Sequence, residues 1–92
     1  MRLLRVVDSP LTGKKLRAIF DNGTHTDFGS SGMTDYLQSK DKERRERYRT
    51  RHKKDLETED PTRAGYLSYY LLWGDSTSLR TNISDYKRRF NM

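Results

Sequence analysis

A chain of 92 residues holds one small domain and no more, and with 35% charged against 32% hydrophobic residues its apolar material must be concentrated in a few segments. It has no cysteine, which excludes disulfides and thiolate metal sites, and its first apolar run is broken by Arg5 and Pro10, too short for a signal-peptide core or a membrane span. The net charge of +6 lies almost wholly in one place: residues 1–39 carry five basic and four acidic groups (+1), residues 56–92 five of each (zero), and residues 40–55 nine basic and four acidic (+5).

The chain opens with two β-prone runs, LLRVV at residues 3–7 and KKLRAIF at residues 14–20, separated by DSPLTG, whose Asp, Pro and Gly favour a turn. Asp21-Asn22-Gly23 then connects the second run to residues 24–28, and the side-chain faces choose the register. A two-residue Asn-Gly loop sets Phe20 against His25 and Arg17 against Phe28, mixing charge and apolar surface on both faces. A three-residue loop with Gly23 in the left-handed conformation sets Leu16 against Phe28, Ala18 against Thr26 and Phe20 against Thr24 on one face, with Arg17 facing Asp27 on the other. The second register is the one expected.

GSSG at residues 29–32 reads as a flexible turn; it lacks the spacing and lysine of a phosphate-binding loop. Thr34 can cap a helix starting at Asp35, and residues 34–54 form one helix or two joined near Ser39, since Ser39 and Asp41 both suit a cap. Asp60-Pro61 predicts an N-cap followed by proline at the first helical position. In AGYLSYYLLW, residues 64–73, eight of ten side chains are hydrophobic or aromatic, which marks the buried centre. Gly74 ends that helix, and the last helix carries Leu79, Ile83, Tyr86 and Phe90 at the spacing of one apolar stripe. The fold expected is α+β: a small antiparallel hairpin or three-stranded meander (residues 1–29) followed by three to four helices (residues 33–92), forming a single domain over residues 1–92.

KDKERRERYRTRHKK, residues 40–54, poses the main question, because Tyr48 is its one apolar anchor. Three readings compete: a solvated, self-paired helix; a binder of nucleic-acid phosphates; and a helix docked on an acidic protein surface through arginine forks, with Tyr48 as anchor. The third is preferred, since a segment so poor in apolar side chains is expected to complete its contacts on a neighbouring protein. The partner-binding residues are then Arg44, Arg45, Arg47, Tyr48, Arg49, Arg51, Lys53 and Lys54. Nothing in the sequence points to catalysis: His25 and His52 lie far apart, without a cysteine nucleophile or metal-ligand spacing. No catalytic residues, metal site, cofactor or small-molecule substrate are expected.

Taken together, KDKERRERYRTRHKK, TRAGYLSYYLLWG and SLRTNISDYKRRF, preceded by HTDFGSSGMTDY, resemble a family of short uncharacterised proteins encoded by large DNA viruses of algae and protists, over roughly residues 14–90. That resemblance implies a virion component, a minor capsid protein whose basic helix contacts other capsid subunits, with a small viral nucleic-acid-binding protein as the alternative.

Overall fold

The computed structural model describes residues 1–92 and is α+β, a three-stranded antiparallel sheet followed by four helices. Strands β1 (Leu3–Asp8), β2 (Lys14–Phe20) and β3 (His25–Ser30) lie in the order β1-β2-β3. The β2–β3 hairpin has the expected register, with Leu16 against Phe28, Arg17 against Asp27 and Ala18 against Thr26. Its loop turns on Gly23 at φ +84°, where a side chain would be strained. The pleat puts Leu3, Ala18, Phe20 and Phe28 on the buried face. On the opposite face Arg17 grips Asp27 at 2.9 and 3.1 Å while the Ser9 hydroxyl donates to the same carboxylate at 2.7 Å. The hydrogen bonds from Arg17, and then from Ser9, hold the Asp27 carboxyl below the usual range. One extra residue, Leu4, bulges between Leu3 and Arg5 in β1.

Two helices, not one, follow the sheet. Helix α1 (Tyr36–Ser39) is capped by Asp35 rather than Thr34: Asp35 accepts the Gln38 N–H, and Gln38 reaches back to the Asp35 N–H. Asp35 is buried and also takes the Lys15 ammonium at 2.7 Å, so an ion pair to β2 fixes the cap where a hydroxyl has nothing to offer. Lys40, left-handed at φ 56°, ends α1, and Asp41 caps α2 (Lys42–His52) by accepting the Arg44 N–H. A 3-10 stretch, Lys53–Thr58, continues it.

The expected start of the next helix at Pro61 is corrected to Ala64. The Asp60 carboxylate accepts from the Thr62 N–H at 3.0 Å and the Thr62 hydroxyl at 2.6 Å, so it closes a local turn instead of capping a helix. The carbonyls of Pro61 and Thr62 are held elsewhere, by the Tyr86 hydroxyl and the Thr26 hydroxyl. Helix α3 (Ala64–Leu67) then widens into a π-helical turn, Ser68–Leu72, closed by the Trp73 N–H on the Ser68 carbonyl. Helix α4 (Leu79–Arg89), capped by Ser78, lays Leu79, Ile83, Tyr86 and Phe90 on this segment as its stripe predicts. The core unites Leu3, Phe20 and Phe28 of the sheet with Tyr36, Leu67, Leu71, Leu72, Trp73 and Tyr86. Buried Asn82 ties α4 to the end of the π-helical turn by donating to the carbonyls of Leu71 (3.0 Å) and Ser76 (2.8 Å). No helix is long and apolar enough to cross a membrane.

Candidate binding face on the basic helix

No side chain of α2 is fully buried, yet the helix is firmly attached to the rest of the chain. Positions 45, 48, 49 and 52 fall on one side of a 3.6-residue repeat, and in place of aliphatic groups that side carries two arginines, a tyrosine and a histidine. The Arg49 Nε donates to the Trp73 carbonyl at 2.8 Å and Nη2 to the Asp75 carboxylate at 3.1 Å, while its guanidinium lies 5.4 Å over the Tyr69 ring. Arg45 donates through Nη1 to the carbonyls of Gly74 and Asp75, both at 3.4 Å, and lies 4.8 Å over Tyr36.

These carbonyls belong to the end of the α3 and π-helical segment, where backbone acceptors lack partners within the helix and the dipole favours cations. Two arginines of α2 therefore cap a neighbouring helix. Tyr48 is sandwiched between Trp73 (4.3 Å between centroids, 8° between planes) and His52 (4.1 Å, 26°). Burial, followed by the nearby Asp55 charge, pushes the Tyr48 hydroxyl above its ordinary pKa. The Arg44 guanidinium lies over the Trp73 ring, 5.8 Å from its centroid. The expectation that this helix lacks support from its own chain is therefore corrected: cation caps and stacked rings do what an apolar stripe does elsewhere.

That correction divides the eight sequence-predicted residues. Arg45, Tyr48 and Arg49 are turned inward and Arg44 is half-buried, whereas Arg47, Arg51, Lys53 and Lys54 are exposed together with Lys40 and Lys42. None of these six exposed cations joins an ion pair; within residues 40–55 the pairs are Arg45 with Glu46, Arg49 with Asp75 and His52 with Asp55. The i,i+4 pairings that the sequence suggests, Asp41–Arg45, Lys42–Glu46 and Glu43–Arg47, do not form within 4 Å; Arg45 turns to its neighbour Glu46 at 3.0 Å while its other nitrogen serves the carbonyls.

Beside the inward face lies a cleft of about 290 Å³, bordered by Lys14, Lys15, Asp35, His52, Asp55 and Ser68 among others. Sequence reasoning missed it because these residues come from four separate elements. Lys15 meets Asp35 there at 2.7 Å and His52 Nδ1 lies 3.0 Å from the Asp55 carboxylate, whereas Lys14 has no carboxylate within 4 Å.

Fold and face together define a small α+β protein that presents one cationic helix surface, the other side of that helix being used for its own cohesion. Residues 4–52 match a family of unknown function (DUF5754), and since that is more than half of the chain, the protein belongs to this family. The match takes in β1 from Leu4 onward, which the viral resemblance left outside, and ends with α2. No curated protein and no solved structure matches the chain.

Proposed function

We propose that this protein is a non-catalytic docking module of a virion, a minor capsid protein that sits on an acidic surface of a neighbouring capsid subunit through the outer face of α2. The observation that carries the reading is the division of that helix: Arg45 and Arg49 are committed to this chain's carbonyls, whereas Lys42, Arg47, Arg51, Lys53 and Lys54 stand exposed without a carboxylate of their own. Unmatched like charges crowded on one face repel, and an apposed set of carboxylates relieves that repulsion while accepting the arginine forks. Asp41, Glu43 and Glu46 are exposed along the same helix. A surface patterned in both signs suits a protein partner better than a uniformly anionic phosphate backbone. The likeness to proteins of large DNA viruses supports placing that partner in a virus particle. The reading calls for no cofactor and no small-molecule substrate.

The test is composition followed by mutation. The protein is expected at a fixed stoichiometry in purified, nuclease-treated particles of the source virus, and its capture by the isolated capsid subunit is expected to fail in R47E/R51E and survive in R80E, a charge-matched change on α4. Sub-micromolar binding to duplex DNA at about 0.15 M salt, lost in the same R47E/R51E variant, would move the function to nucleic acid.

A further inference from the structure

Four of the five exposed large apolar side chains gather at one edge of the molecule, the fifth, Met33, lying beyond β3 at the cleft. Met1, Leu4, Val7 and Leu11 are 57, 56, 37 and 50% exposed, and all lie on or beside β1. That strand is the outer one of the sheet, with β2 on its inner side alone. The Ser9 N–H donates to the Lys15 carbonyl at 3.1 Å, which extends the register in which Val7 faces Arg17 and Arg5 faces Ile19. Antiparallel ladders alternate, so the backbone groups of Arg5 and Val7 point to β2 and those of Val6 and Asp8 point away from it. An edge with open donors and acceptors and bare aliphatic side chains is a template for another strand.

We infer that a second copy of β1 occupies this edge, antiparallel about a two-fold axis at Val6, joining two sheets into one of six strands. The register follows from the open groups. Val6 faces the second copy's Val6 and Arg5 faces its Val7, with the bulged Leu4 outside the regular ladder. A slip of two residues one way sets Arg5 against Arg5, and a slip the other way sets the core-packed Val6 against the Asp8 carboxylate. In the central register no charge meets its like, and the Val6 side chains, already packed on each core, continue one apolar face across the axis. The exposed Val7 is covered in the same step. The interface uses no residue of α2, so it stands or falls apart from the docking reading.

Sedimentation velocity over micromolar to millimolar protein tests this, with a concentration-dependent rise from 10.9 kDa toward twice that mass as the expected result. The register is tested by V7E and V7K at a position that is exposed in the monomer: V7E faces Arg5 of the second copy and tightens the dimer, V7K weakens it. Each change acts twice by symmetry, so the dissociation constant is expected to move about two- to thirtyfold in each direction. Amide exchange at Val6 and Asp8 is expected to slow as the dimer forms. A strict monomer at millimolar concentration overturns the inference, as does a dimer whose affinity V7E and V7K shift in the same direction or not at all.

Discussion

Replacing Arg49 with alanine separates a helix held by its own chain from one waiting for a partner. The side chain is 19% exposed, and its loss leaves the Trp73 carbonyl without its 2.8 Å donor, at a cost of about 1–3 kcal/mol. Withdrawing the guanidinium from the Tyr69 ring adds about 0.5–1 kcal/mol. The Asp75 pair adds little, because that carboxylate is 70% exposed and salt screens it. The expected total is roughly 2–4 kcal/mol, a large fraction of the roughly 5–15 kcal/mol that a domain of this kind has to lose. Arg47→Ala, four tenths of a turn away on the solvent side, is expected to cost less than about 0.5 kcal/mol. Urea unfolding followed by far-ultraviolet circular dichroism measures both, and repeating it at high salt is expected to leave most of the Arg49→Ala deficit in place. If the two variants prove equally mild, the arginine caps do not hold α2.

Three further outcomes follow from the same packing. Asn82→Ala strands the carbonyls of Leu71 and Ser76 and the Ser76 N–H, and is expected to destabilise by roughly 2–4 kcal/mol in the same unfolding assay. Gly29→Ala puts a Cβ 2.7 Å from Leu72 Cδ1 and 3.2 Å from Lys15 Cβ at φ +80°, and is expected to cost about 1–3 kcal/mol, whereas the same change at Gly32, with open space around it, is expected to be mild. Asp27 and Asp60 both have carboxyl pKa values held below normal, Asp27 by the Arg17 hydrogen bond first and Asp60 by the Thr62 hydroxyl first. A depressed folded pKa gives stability that is complete above the unfolded value of about 4 and lost as pH falls through the folded one, so unfolding midpoints are expected to drop below pH 4 and to drop less steeply in Asp27→Asn.

How far the sequence could be read depended on which interactions leave a periodic trace. The β2–β3 register was legible because Leu16, Ala18 and Phe20 alternate with polar residues and only one loop length brings them opposite Phe28, Thr26 and Thr24. The stripe from Leu79 to Phe90 was legible for the same reason at helical spacing. Inward-turned arginines were not, because their partners are backbone carbonyls at residues 73–75, invisible to any pattern of side-chain types. The clue available was spacing: Arg45, Tyr48, Arg49 and His52 recur as a buried stripe does, with an aromatic ring at its centre. The start of α3 was misplaced because Asp60 can cap a helix or close a turn, and the choice is made by Tyr86 and Thr26, distant in sequence, which claim the carbonyls next to it. The cleft beside α2 needed the assembled fold.

The chain has one tryptophan, and it stands where α2 meets the core, face to face with Tyr48 and accepting the Arg49 Nε–H at its carbonyl. Its fluorescence is thus a built-in gauge of the joint between α2 and the core. A change in emission that precedes the loss of helical ellipticity during unfolding would register the basic helix lifting away while sheet and remaining helices persist, and a partner that seizes the outer face would leave that signal unmoved.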